Sequence, residues 1–210
     1  MRTLHPIPPS FYTQPTLIVA RQLIGAVLRV EHPLGPITAV ITETEAYIGE
    51  NDLACHCRAG KTKRTQVMYG PPGHAYVYFT YGNHWMLNAV TDVEGAPAAV
   101  LIRAVLVLEG KQIVQANRLG VPDERWSDGP GKLTKACGID ASFNEIDLTN
   151  PNGKAWIAYG RFVEDDRVTI GPRVGLYTVP EPWKSKPWRF LWKTNNQLEE
   201  QWDYSAEKTP

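Results

Sequence analysis

Glu43, Glu45 and Tyr47 recur at every second position of the segment 41–49, and two carboxylates beside a phenol can do general acid–base chemistry. Side chains of a strand alternate between faces, so these three share one face while Thr42, Thr44, Ala46 and Ile48 share the other. Burying an unpaired carboxylate is costly unless it is compensated. The polar face therefore looks into solvent or into a polar cavity, and the pattern alone leaves both open.

Other residues with chemical potential are scattered along the chain. Arg103 is the charged residue within the apolar run 98–107, which reads as a strand buried on both faces, so its guanidinium must find anionic or carbonyl partners. Cys55, His56 and Cys57 are metal-ligand types. Their spacing is tighter than the two to four intervening residues of a zinc pair, and no metal is expected. An odd count of three cysteines without a secretion signal argues for reduced thiols. The segment 128–134 falls short of a phosphate loop, because Trp126 stands where the first glycine belongs and Leu133 where the magnesium-binding hydroxyl belongs. It predicts instead a proline-started helix over 130–137, ended by Gly138, with Lys132 and free N–H groups at its start.

Lys+Arg and Asp+Glu balance at 22 each, so any affinity for nucleic acid has to come from local clusters. Arg58, Lys61, Lys63 and Arg64 form one such cluster. Lys184, Lys186, Arg189 and Lys193, interleaved with Trp188, Phe190 and Trp192, form a better one. No apolar run approaches the roughly 20 residues of a membrane span, and the first ten residues lack a signal peptide's basic start and apolar centre. A soluble intracellular protein of one domain is expected.

The elements that must position these residues follow from periodicity and turn chemistry. Helical spacing predicts a helix over 13–25 with a glycine cap, and alternation predicts a hairpin of 27–31 with 37–47. A second hairpin, 75–83 with 84–90, turns at Gly82-Asn83 and carries Tyr81 at its tip, where an aromatic has little of its own hairpin to pack on. A helix over 108–119, stopped at Gly120, and strands over 156–159 and 167–170 complete the reading.

Taken in order, Glu-Thr-Glu-Ala-Tyr (43–47), His56, Tyr-Val-Tyr-Phe-Thr-Tyr-Gly (76–82), Asn88, Leu-Ile-Arg-Ala (101–104) and Arg-Val-Gly (173–175) resemble the alkyladenine, or 3-methyladenine, DNA glycosylase family. The resemblance spans about residues 20–193. It implies an α+β fold, a curved and mainly antiparallel sheet with surrounding helices and a protruding hairpin. It also implies a metal-free, cofactor-free enzyme that flips damaged purines out of duplex DNA and hydrolyses their glycosidic bond. By position, Glu45 would be the general base, with Arg103 and the Val174 carbonyl holding its water. Tyr47, His56 and Tyr78 would sandwich the base, Asn88 would lie on the pocket floor and disfavour guanine, and Tyr81 would fill the gap in the stack. Arg58, Lys61, Arg64, Lys132, Lys186 and Arg189 are the candidate DNA contacts. The enzyme would act as a monomer in the cytoplasm, at the nucleoid of a bacterium or in the nucleus of a eukaryote.

The chain departs from the family pattern at Arg64-Thr65, where Arg-Asn is expected, and at Leu106-Val107, where Glu-Pro often follows the arginine strand. Both positions lie outside the inferred base pocket. No lysine falls in the Glu45 or Tyr78 motifs, so no Schiff base is expected. Two rival readings remain at this level. One is a carbohydrate or nucleoside hydrolase using Glu43 and Glu45 as its acid and base. The other is a module that binds distorted DNA by wedge and stacking without chemistry.

Overall fold

The computed structural model describes residues 4–80 and 82–193. Its organising element is a twelve-residue strand, Ile37–Ile48 (β2), which contains Glu43, Glu45 and Tyr47. Val27–Val30 (β1) pairs along the first part of β2, and Ala98–Glu109 (β5) pairs along nearly all of it. Ala75–Thr80 (β3), His84–Val90 (β4), Ala155–Ala158 (β6), Val168–Gly171 (β7) and Arg189–Trp192 (β8) complete an open sheet of eight strands. The order is β3-β4-β5-β2-β1-β6, with β8 pairing both β2 and β7, and the pairings are antiparallel. With four short helices against it, Pro9–Tyr12 (α1), Thr16–Gln22 (α2), Lys111–Asn117 (α3) and Pro130–Cys137 (α4), the fold is α+β, as expected. Among the described residues no helix is long and apolar enough to cross a membrane.

The simple alternation read for β2 is overturned, because the strand is buried on both faces from Ile37 to Ala46. Paired strands flank it, and α2 docks across it, where the Thr44 hydroxyl donates to the Ala20 carbonyl at 2.7 Å. That carbonyl lies in the last turn of α2, where helical partners run out. Two irregularities in the β2–β5 ladder aim the polar side chains. Thr42 is an extra residue on β2 between the pairs Ile41↔Val105 and Glu43↔Ala104, and Arg103 is an extra residue on β5 before Thr44↔Ile102. Bulges bend a strand and redirect its side chains. Here they turn Arg103 out of its apolar strand and onto the two glutamates.

The helix expected over 108–119 is shorter than the sequence suggested. β5 runs on to Glu109, Gly110 turns the chain with φ +77°, and only Lys111–Asn117 is helical. The helix expected over 13–25 is likewise confined to Thr16–Gln22, since Pro15 fixes its start. The expectation of reduced thiols fails for two of the three cysteines: Cys55 and Cys57 are joined as a disulfide on either side of His56. Cys137 remains a buried thiol whose pKa is pushed up to about 12 by burial.

The second hairpin forms as read, in the register Ala75↔Ala89 to Thr80↔His84. Only Asn88–Val90 of β4 reach β5, so the distal half of the hairpin extends beyond the sheet. It is braced from α4, where the Thr134 hydroxyl donates to the Trp85 carbonyl at 2.9 Å and Gly131 lies close against His84. Tyr81, at the tip, lies outside the described residues. Thr44→Val leaves the Ala20 carbonyl buried without its donor and should cost about 1 to 3 kcal/mol. A lower urea midpoint at unchanged m-value would register that loss; an unchanged midpoint would mean that packing alone seats α2 on β2.

Candidate active site

Glu45 is the centre of a cage of donors. Its side chain is 0% exposed. The Val174 N–H donates to Oε1 at 2.6 Å, the Tyr47 hydroxyl donates to Oε2 at 2.8 Å, and Arg103 Nε lies 3.4 Å from Oε1. Burial nevertheless dominates: it pushes the Glu45 pKa above its ordinary 4.5, against the lowering effects of Arg103, Val174 and Tyr47, and the Glu43 charge adds to the rise. Burial and the neighbouring Glu45 carboxylate hold the Tyr47 phenol well above its ordinary range, so it stays a donor.

Glu43 plays a different part. Its Oε1 accepts from Arg103 Nε at 3.0 Å and from Arg189 Nη1 at 3.2 Å, so it holds the arginine that faces Glu45. Arg103 keeps its proton: burial works against the charge, but Glu45 and Glu43 outweigh it and raise the pKa. Glu43 also lies in the wall of a second cavity, on the side of Trp126 and Leu191, rather than in the wall that Tyr47 lines.

Every partner of Glu45 named above lines one cavity of about 320 Å³. Its wall also contains His56, Tyr76, Tyr78, Met68, Met86 and Asn88. His56 and Tyr78 meet edge to face, with centroids 4.5 Å apart, and His56 Nδ1 is hydrogen-bonded to the Tyr76 hydroxyl at 3.0 Å. Burial, then the charges of Arg64 and Arg58, lower the His56 pKa to about 4, so the ring is neutral near pH 7. Asn88 is held in the wall by its Nδ2, which donates to the Tyr76 carbonyl at 2.9 Å. The structure thus gathers Tyr47, His56, Tyr78, Asn88, Arg103 and Val174 from six separate stretches of chain around one space. It shows the Val174 amide, rather than its carbonyl, in contact with Glu45.

The six basic residues singled out from sequence are spread more widely, and each has a partner within the chain. Arg58 Nη1 donates to the Leu53 carbonyl at 2.7 Å, Lys61 lies over the Tyr69 ring, and Arg64 lies 5.0 Å from the centre of the Tyr78 ring. Lys132 pairs with Asp128 at 2.7 Å, Arg189 holds Glu43, and Lys186 sits over both Trp183 and Trp188. Tyr76, Met68 and Met86 line the cavity without having been singled out. Their alternation with Tyr78 along the hairpin was the available signal for Tyr76 and, through the pair Tyr78↔Met86, for Met86.

The chain matches the sequence model of the methylpurine-DNA glycosylase family over residues 10–196. It is 44% identical over 191 residues to a protein of Myxococcus xanthus, covering 91% of each chain. It is 43% identical over 193 residues to one of Methanocella arvoryzae, covering 90% of this chain and 93% of that one. A Carboxydothermus hydrogenoformans protein is 42% identical over 193 residues, covering 91% and 97%. All three relatives bear the provisional name 3-methyladenine DNA glycosylase. With its buried glutamate, aromatic cavity and near full-length match, the chain belongs to the methylpurine-DNA glycosylase family.

Proposed function

We propose that the protein is a monofunctional DNA glycosylase that turns alkylated or deaminated purines, 3-methyladenine above all, out of duplex DNA and hydrolyses their N-glycosidic bond. The observation that carries this reading is the enclosed Glu45 carboxylate, whose partners form part of the wall of an aromatic cavity. Flipping a base costs a few kcal/mol, least where pairing is already weak. Stacking contributes about 1 to 3 kcal/mol per aromatic contact, so Tyr47, His56 and Tyr78 can offset it together. A neutral His56 does so without repelling a cationic alkylpurine. Asn88, at the floor, stands against the 2-amino group of guanine.

Glu45 then acts as general base. It takes the proton of a water whose oxygen bonds to the sugar C1′ as the bond from C1′ to the purine nitrogen breaks and its electron pair leaves with the base. Arg103 and the Val174 carbonyl hold that water. A cationic alkylpurine leaves as a neutral base without protonation, so its release requires no metal or lysine adduct, and the product is an abasic site. Tyr81 serves as the wedge in the emptied stack. Arg58, Lys61, Arg64, Lys132, Lys186 and Arg189 give up their present partners, in whole or part, to phosphates. Six phosphates neutralised in this way give affinity a log–log salt slope of about −5. The sugar-hydrolase reading is disfavoured because Glu43 is tied to two arginines and faces the second cavity.

Release of free base from methylated duplex DNA, measured in EDTA for wild type and Glu45→Gln, tests the reading. Wild type should release 3-methyladenine, the variant should lose about 10² to 10⁴ in rate, and borohydride should trap no protein–DNA adduct. Equal release by both proteins, or tight binding of the lesion without release by either, would contradict it.

His56 carries a stability signature of its own. The unfolded chain takes up a proton near pH 6.5, but the folded chain does not until about pH 4, so His56 lowers stability as the pH falls across that window. The loss amounts to at most about 3 kcal/mol, less with partial screening by solvent. Urea midpoints for wild type and His56→Gln should therefore converge as the pH is lowered from 7 to 4. Parallel curves would show that His56 titrates normally.

A further inference from the structure

Arg173 and Asp52 form an ion pair whose side chains are both wholly enclosed. The pair is bidentate: Nη1 donates to Asp52 Oδ2 at 2.5 Å and Nη2 to Oδ1 at 2.9 Å. The same guanidinium donates to the Ala46 carbonyl at 3.0 Å, between Glu45 and Tyr47, and to the Trp183 carbonyl at 3.2 Å. Its Cζ lies 4.7 Å from the centre of the Tyr47 ring and 4.9 Å from that of Trp188. Asp52 in turn accepts from the N–H groups of Ile48 and Ala54, fixing the turn between β2 and His56. Arg173 and Asp52 are not part of the cavity wall themselves, but Tyr47 and Ala54, which they touch, are.

From these contacts we infer that the Arg173–Asp52 pair is the positioning element of the site, setting the Val174 amide against Glu45 and the Tyr47 ring against the cavity. The inference rests on the glycosylase reading for its kinetic consequences but not for its structural one. Removing a buried ion pair in favour of apolar groups is often neutral or stabilising, so stability alone gives little reason for one here. Arg173 Nε is left without a hydrogen-bond partner, which a pair built only to stabilise would not favour. What the pair does supply is geometry. Val174 follows Arg173 directly, and its amide is the shortest contact that Glu45 makes. A bidentate fork between two planar groups fixes orientation as well as distance. A lysine can keep the charge but not the fork.

The test uses wild type, Arg173→Met, Arg173→Lys and the milder Asp52→Asn, each with its folded fraction measured. The first readout is the titration of the Glu45 carboxyl, followed by NMR of carboxyl-labelled protein; the groups that face this carboxyl are Glu43, Tyr47, Arg103 and the Val174 amide. The second is the single-turnover rate of base release beside the affinity for a duplex containing an abasic analogue. Looser placement of the Val174 amide should move the Glu45 titration to higher pH in Arg173→Met and, less far, in Asp52→Asn, with Arg173→Lys failing to restore it. The rate should fall by on the order of 10²-fold at saturating enzyme, while affinity stays within about threefold. An unmoved carboxyl titration in folded variants overturns the inference, as does a rate that falls only with the folded fraction. If wild type releases no base, the glycosylase reading fails alone, because the carboxyl titration still decides the positioning role.

Discussion

The constraint on which the rest depends is that a carboxylate sits in the middle of a strand buried on both faces. A charge there is costly in the interior, and the chain meets the cost with donors drawn from three places: Tyr47 two residues on, Arg103 from β5 and the Val174 amide from the loop after β7. The compensation is partial, since burial still raises the pKa of Glu45. A base held above its ordinary range binds protons more readily, which is the direction that improves proton abstraction near neutral pH.

Two ion-pair systems support that arrangement. Glu43 pairs with both Arg103 and Arg189, and Asp52 pairs with Arg173. Each system joins segments far apart in sequence. Arg173 meets Asp52 across 121 positions and Arg189 meets Glu43 across 146. The cavity is mostly aromatic and apolar, with two methionines and one fixed amide, and Arg103 is the charged side chain in its wall. Such a wall suits a ligand whose recognition is by its π-face and whose reaction is at its edge.

Much of this was legible in the chain and some of it was not, for physical reasons. The hairpins announced themselves through alternation and a Gly82-Asn83 turn, and Arg103 in an apolar strand demanded an anionic partner that the structure supplies. Asp52 accepts from the Ala54 N–H two residues on, but its pairing with Arg173 depends on a loop that no local pattern describes. The bulges at Thr42 and Arg103 break strict alternation, and they set which way the arginine points; periodicity could not reveal them. The disulfide beside His56 ran against the inference from cysteine count, because that inference concerns surroundings and not the proximity of two particular sulfurs. Lys186 looked like a free cation in a basic tail. Its position over Trp183 and Trp188 shows that interleaved aromatics can also serve the cation of their own chain.

The central claim, that the caged carboxylate of Glu45 is the reacting base, is tested most directly by the pH dependence of the single-turnover rate of base release from a methylated duplex by the wild-type protein. Ionisation of Glu45 should give a rate that rises with pH through one carboxyl limb, with its midpoint displaced above 4.5 because burial disfavours the charge. A rate independent of pH through the acid range, or a limb at or below 4.5, would contradict the account.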